Sequence, residues 1–442
     1  MSEQVTEADR TAEARLPSTF MEYVRALGPG ILVAMAWLSA GDLVSASVSG
    51  STYGYALMWA LVVSLFARYF FVSAIGKYVL CNRQGDPSIL AGFGRLWRGL
   101  PALVGVIAFI LGFTYQTYAI KGAATALYHL LGEVGNQGWT IFIFAVLLVG
   151  LVAFMLLTGQ QYRKLEILGQ ISVAILILTF FVAVAIHGFD PIALLRGLAF
   201  RLPADTGGFG AVLIVAAIIG AVGGSAANLL YPYFMQDKGW DRPAYRKLQI
   251  IDLLAGIFAM IFINLAVWIV AAEVLAGGGG IAIEQPEDLA TMMGRGVGLI
   301  GPLLLWIGLF FITFDTFPVF AFGFTKVLLD GLQRTFPRQV QTYENPENHP
   351  AFNWIQIGAL LILPLIFSLP MAPSFIALTI AGNALGAVTG PIIIVGVIIL
   401  TTRKKYMLSE YVNKWWETLA LLIIGGIGLW ATYGIVADLL SG

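Results

Sequence analysis

Apolar runs recur along this chain at about 28–50, 53–80, 101–131, 138–158, 164–187, 208–233, 247–273, 297–330, 352–369, 373–401 and 416–440. A helix needs roughly 20 apolar residues to cross the hydrocarbon core of a bilayer. The pattern therefore predicts eleven membrane helices and leaves no room for a strand-rich or soluble domain. Two of the runs are interrupted halfway. In the first, Leu38-Ser39-Ala40-Gly41-Asp42 puts a glycine and a carboxylate where a continuous membrane helix gains from neither. In the sixth, Gly220-Ala221-Val222-Gly223-Gly224-Ser225-Ala226-Ala227-Asn228 breaks the run the same way. An Asp at mid-depth costs at least ~2.5 kcal/mol on insertion scales, so Asp42 is expected to face protein, water or an ion rather than lipid.

Flanking charge orients the spans, because Lys and Arg concentrate on the cytoplasmic side. With the N-terminus inside, 20 of the 25 cations fall in inner segments, among them Arg25, Arg83, Arg95, Arg242, Lys326 and Arg403 to Lys405. Arg196, Arg201 and Arg295 fall outside, and Arg68 and Lys121 fall within spans. Spans one to five (28–187) and six to ten (208–401) then have opposite orientations and each begins with a broken member. That is the inverted five-helix repeat of transporters resembling LeuT, whose substrates bind at the breaks. Residues 1–27 form a polar tail, expected in the cytosol, and 416–440 add an eleventh span. The C-terminus is then outside. The whole is expected to be an all-α polytopic membrane protein.

Composition narrows the function. The chain has 442 residues, 59% hydrophobic and 11% charged, with a mean hydropathy of +0.85. Basic and acidic residues balance at 25 each, which argues against a nucleic-acid surface. A single cysteine, Cys81, allows no internal disulfide and no thiolate metal cluster. No nucleophile, base and orienter set suggests an enzyme, and no bound cofactor is implied. Gly296 to Gly301 matches the GxGxxG pattern formally, but it opens a membrane span with no preceding strand.

Asp42 is the sharpest candidate, as a cation ligand helped by Ser39 and by carbonyls freed at the break; the alternative is a helix cap. Gly223, Ser225, Ala226 and Asn228 stand at the second break, where the plainer role of small residues is close helix packing. Asn383 in the tenth span either lines the same cavity or ties helices together. Asp252 and Asp315 are weaker candidates on an ion path. Arg68 and Lys121 are expected to pair with a carboxylate or reach an interface. His129, His187 and His349 all lie away from the breaks.

These residues resemble a known family. GPGILVAMAWLSAGDL is similar to the first helix of the NRAMP divalent-metal transporters, in which GPG is followed by Asp-Pro-Gly-Asn, and the likeness extends over nearly the whole chain. Matched on the Gly, the family's Asp falls on Ser39 and its Asn on Asp42, so the carboxylate moves by one turn. The family's Ala-x-x-Met-Pro-His-Asn corresponds to the region from Gly223 to Asn228. Anchored on Asn228 its Met falls on Ser225, and without a gap it falls on Ala226. The sulfur and the histidine are absent in either register. The third-span Asp-x-x-Glu-x-x-Gly of the family's proton pathway becomes Gln116-Thr-Tyr-Ala119-Ile-Lys-Gly122. The ninth span lacks the family's arginines, and Asn383 stands where the tenth carries Gln.

A thioether favours softer ions, whereas oxygen ligands suit Mg²⁺, which keeps several waters and wants a wide site. The resemblance thus implies the magnesium-transporting NRAMP-related branch. It implies an uncoupled Mg²⁺ carrier that also accepts Mn²⁺, acting as a monomer in a bacterial inner membrane, with the ion as substrate. The rivals are a proton-coupled Mn²⁺/Fe²⁺ transporter or a Na⁺-coupled amino-acid symporter of the same fold. A channel, a receptor and a membrane enzyme are rivals of other classes.

Overall fold

The computed structural model describes residues 40–158, 163–223, 225–276 and 281–441. In chain order these build α1 (Ala40–Tyr53), α2 (Met58–Cys81), the short α3 (Ile89–Leu96), α4 (Leu100–Leu130), α5 (Gln137–Thr158), α6 (Arg163–His187) and the short α7 (Pro191–Arg196). The sixth span is α8 (Ala211–Ile218), a π turn (Ile219–Gly223), a 3-10 turn (Ala226–Leu230) and α9 (Tyr231–Asp237). Then come α10 (Arg246–Ala271), α11 (Pro286–Val297) and α12 (Gly301–Thr335). The ninth span, Phe352–Ser368, opens with α13 (Phe352–Trp354) and runs on through π and 3-10 turns. Last are α14 (Phe375–Thr402) and α15 (Trp415–Ser441).

Among the described residues, 8 helices are long and apolar enough to cross a membrane, and two shorter apolar helices, Val173–His187 and Phe352–Ser368, fall at the fifth and ninth expected spans. The first span is described only from Ala40, so its expected break at Leu38 and Ser39 lies outside the described residues.

Burial sorts the spans into centre and rim. The most apolar stretch of the sixth span is 81% buried, against 28% for α5 and 22% for α15. The sixth span therefore runs through the middle, while α5 and α15 turn side chains such as Leu147, Phe154, Leu422 and Leu429 outward to lipid. The most extensive helix pair is α4 with α12, spans three and eight. Around it the packing is reciprocal: α1 lies on α10, and the π turn of the sixth span lies on α2. Spans one on seven and six on two are equivalent pairs under an inverted repeat, and this is the all-α, LeuT-like arrangement.

The connections hold helices that a scan for long apolar runs does not see. Ser88 accepts from the Ala91 N–H (3.3 Å) to start α3, and Asp190 accepts from Ile192 and Ala193 to start α7. A capping box of Gln285 and Asp288 starts α11. Gly298 ends α11 at φ +80°, so the formal GxGxxG match is a helix terminus and a turn, and the eighth span begins at Gly301.

Several charged residues settle differently from expectation. Lys121 donates to the carbonyls of Ala372 (3.2 Å) and Pro373 (2.7 Å), pinning α4 to the segment before α14 without a carboxylate. Asp252 is fully buried and accepts from the Tyr231 hydroxyl (3.2 Å), so it neither caps nor snorkels at an interface.

Candidate functional site

The sixth span breaks because its glycines let other backbones come where side chains would stand. A Cβ on Gly220 would lie 1.7 Å from the Asn383 carbonyl oxygen on α14, and one on Gly223 would lie 3.2 Å from the Ser64 Cα and carbonyl oxygen on α2. Close packing and unwinding are therefore both true of this segment. Across the break, Asn228 Nδ2 donates to the Gly223 carbonyl (2.9 Å), while its Oδ1 is buried with no hydrogen-bond partner among the described residues. Ser225 caps the 3-10 turn, accepting from the Ala227 N–H (3.3 Å), and lies within hydrogen-bonding reach of the Tyr115 hydroxyl on α4. The Ala226 N–H donates to Thr389 Oγ1 on α14 (3.3 Å).

Asp42 lies in α1 as described and is 2% exposed. The sixth-span helix passes into the π turn before the break, so its negative C-terminal carbonyls lie at the break. Cation-attracting charge thus converges from two spans.

The structure also brings in residues that the sequence did not assign to the site. Arg68, mid-way along α2, donates through Nη2 to the Ala221 carbonyl in the π turn (3.0 Å), and its Nη1 lies 2.7 Å from Sδ of Met260 on α10. Its charge is within Coulombic range of Asp42 and Tyr115. A mid-span Arg was a visible signal. Met260 carried none, so a thioether lies near the break although the stretch from Ile219 to Leu230 supplies none.

Asn383 ties α14 to α1, donating to the Gly41 carbonyl (3.1 Å) and Ser45 Oγ (3.0 Å) and accepting weakly from Tyr118 (3.4 Å). Both of its amide hydrogen bonds go to α1. Gln116 donates to the Phe317 carbonyl on α12 (2.8 Å), an amide where the resemblance expects an acid. Asp315, two residues from that carbonyl, is half-buried. Ser39 and Gly224 lie outside the described residues. Among those described, no group of three or more His, Cys, Asp and Glu side chains could hold a metal, so a cation here relies on one carboxylate with amide, hydroxyl and carbonyl oxygens.

Comparison with known proteins places this geometry. Residues 30–437 match the family described as Natural resistance-associated macrophage protein-like, Nramp. The chain belongs to the Nramp family. The divalent metal cation transporter MntH of Chromohalobacter salexigens is 23% identical over 280 residues, 62% of each chain. MntH of Bacillus subtilis is 25% identical over 298 residues, 64% of this chain and 65% of that one. The matches span less than two thirds of the length of these relatives. Among solved structures, the manganese transporter of Eremococcus coleocola superposes with a TM-score of 0.69 at 19% identity, covering 98% of this chain and 92% of that one. MhsT in complex with L-phenylalanine gives 0.55 at 14% identity, covering 92% and 97%. At these identities the likeness is one of fold.

Proposed function

We propose that this Nramp-family protein carries divalent cations through the membrane by alternating access, with Mg²⁺ as its main substrate and Mn²⁺ tolerated, without proton coupling. The observation that carries the reading is the donor set at the break. The donors at the two breaks are one carboxylate, Asp42, the Asn228 Oδ1, which has no hydrogen-bond partner among the described residues, the Ser225 hydroxyl and π-turn carbonyls, and the stretch from Ile219 to Leu230 contains no sulfur. Hard oxygen donors in small number suit an ion that keeps part of its water. Gln116, bonded to a backbone carbonyl, and Ala119 leave the two third-span positions at which the family carries acids with nothing to load with a proton. Two charges moving inward at ~100 mV gain roughly 4.6 kcal/mol, enough to drive accumulation without a second ion. The protein is a multi-pass membrane protein; we place the N-terminus and the Arg403 to Lys405 loop in the cytoplasm, the C-terminus outside, and take a bacterial inner membrane and a monomer as the working unit.

The test is ion uptake into liposomes holding only this protein, with a pH dye inside. The reading requires Mg²⁺ influx that, at ion concentrations below saturation, follows membrane potential and leaves the lumen pH unchanged. Micromolar Mn²⁺ transport that millimolar Mg²⁺ does not affect, or acidification scaling with metal flux under clamped potential, refutes it.

A second reading, proton-coupled Mn²⁺ transport, is favoured by the names of the relatives and by Met260, whose sulfur lies beside the break. In that reading Asp315 on α12 is the candidate proton carrier, and the same dye assay separates the two.

A further inference from the structure

Arg68 brings a fixed positive charge to the one place where a cation carrier has least use for it. A charged side chain at mid-span is costly and persists only with specific partners and a task. It donates to the Ala221 carbonyl at 3.0 Å and lies 2.7 Å from the Met260 sulfur, while Gly41, next to Asp42, accepts from Asn383, whose own carbonyl meets the sixth span at Gly220; Arg68 and Asp42 thus flank the same turn, within Coulombic range of each other. The side chain is 3% exposed, so none of this is a surface contact. Its mounting is also tight. A Cβ on Gly223 would touch the Ser64 backbone at 3.2 Å and Ala67 Cβ at 3.4 Å, so the stretch of α2 just before Arg68 lies against the break itself.

We infer that Arg68 is a tethered counter-cation: it neutralises Asp42 while the site is empty and gives up that carboxylate when a divalent ion arrives. The inference rests on reading the breaks as the divalent-cation site, and it assigns one step of the cycle to a residue outside the ligand set. A carrier must return empty through a state closed at both ends. With Asp42 alone, that state buries an uncompensated carboxylate; with Arg68 it buries a neutral pair, which is far less costly. The same charge opposes every incoming cation. A divalent ion competes for Asp42 with twice the charge of a monovalent one, so Arg68 also screens out monovalent ions. No second transported ion is then needed to reset the carrier.

The experiment compares wild type, Arg68→Gln and Arg68→Lys in liposomes, using whichever of Mg²⁺ and Mn²⁺ the wild type carries. Net influx is read into an ion-free lumen, and exchange is read into a lumen loaded with the same ion. In Arg68→Gln, net influx should fall at least roughly a hundredfold relative to exchange, the scale set by stripping one partner from a buried ion pair. The KM for exchange should fall, and Arg68→Lys should keep the wild-type ratio. Equal loss of both fluxes in folded Arg68→Gln, or no change in either, overturns the inference. So does an Arg68→Lys ratio as low as that of Arg68→Gln. Should Arg68→Gln not fold, Arg68→Lys decides, together with a wild-type measurement: at saturating ion, net turnover limited by an electroneutral return must be insensitive to voltage, and steep voltage dependence refutes the pair. Wild-type flux of Mn²⁺ alone overturns the Mg²⁺ reading and leaves this one standing; flux of neither ion overturns both.

Discussion

Gly220→Ala tests whether the crossing of the sixth and tenth spans holds the site together. The added Cβ would stand 1.7 Å from the Asn383 carbonyl oxygen, 2.7 Å from the Ala387 nitrogen and 2.9 Å from the Asn383 carbonyl carbon. All three are backbone atoms, so no side chain can swing aside. Because interiors are close-packed and transmit strain, the two helices must part by about 1.5 Å. That displacement is felt in α1, since Asn383 Nδ2 holds the Gly41 carbonyl at 3.1 Å and Ser45 Oγ at 3.0 Å. Moved by such a distance, at least one of these bonds passes beyond hydrogen-bonding range.

Overpacking costs about 1–3 kcal/mol, and a lost buried hydrogen bond adds about 1 kcal/mol. Alanine regains up to about 1 kcal/mol of backbone entropy relative to glycine. The net destabilisation is therefore about 1–4 kcal/mol, accompanied by a large loss of uptake because Asp42 shifts with α1 relative to the break. The assay pairs thermal unfolding in detergent with initial uptake rates in liposomes. Gly150→Ala on α5 is the control: nothing lies within 4 Å of its Cβ position, so stability should be unchanged or slightly raised. If Gly220→Ala melts with the control and transports at the wild-type rate, the crossing does not frame the site.

Asp42→Ala should abolish uptake while the protein still folds and inserts, and a near-wild-type rate in the purified variant would place the site elsewhere. Met in place of Ser225 or Ala226 should lower Mg²⁺ flux, since both positions are almost fully enclosed; competition between Mg²⁺ and Mn²⁺ checks whether the variants shift toward Mn²⁺. At the expected outer end of the bundle, His129 holds Glu133 at 2.8 Å and Glu287 at 3.4 Å. His129, which faces it at 3.4 Å, chiefly holds the Glu287 carboxyl below its ordinary 4.5, with Gln137 donating to it at 2.8 Å. A carboxyl with a lowered folded-state pKa adds stability above its unfolded value and loses it as pH falls through the folded one. Wild type should therefore exceed Glu287→Gln in thermal stability at neutral pH, and the two should converge as pH drops below 4.5. A difference that persists in strong acid would show that charge is not what joins α11 to α4. An impermeant thiol reagent should fail to label Lys405→Cys in intact cells; labelling would invert the topology.

What could be read from the sequence was what a membrane forbids. Asp42 and the run of small residues from Gly220 to Ala227 stood out because lipid tolerates neither a mid-depth carboxylate nor a loosened helix. Those two features marked both halves of the candidate site before any packing was known. What compensates such residues is decided by neighbours that lie far away in sequence. Asn383 is 342 residues from the carbonyl it binds, and whether its amide faces an ion or α1 depends on a helix crossing that only Gly220 permits. Arg68 was visible as an anomaly, but its hold on a carbonyl and a sulfur follows from how closely Gly223 lets α2 approach. Met260 looked like any apolar position on α10. The helices α3, α7 and α11 escaped notice because they are short and lie between spans, although the Gln285 and Asp288 cap was there to read. Each feature missed is a partner rather than an offender, and this is why the break was legible while the charge that balances it was not. A site recognised from Asp42 alone carries one negative charge; the folded site holds Asp42 together with Arg68. The carrier's electrostatics, and with them its coupling, turn on the residue that the pattern of apolar runs could only flag.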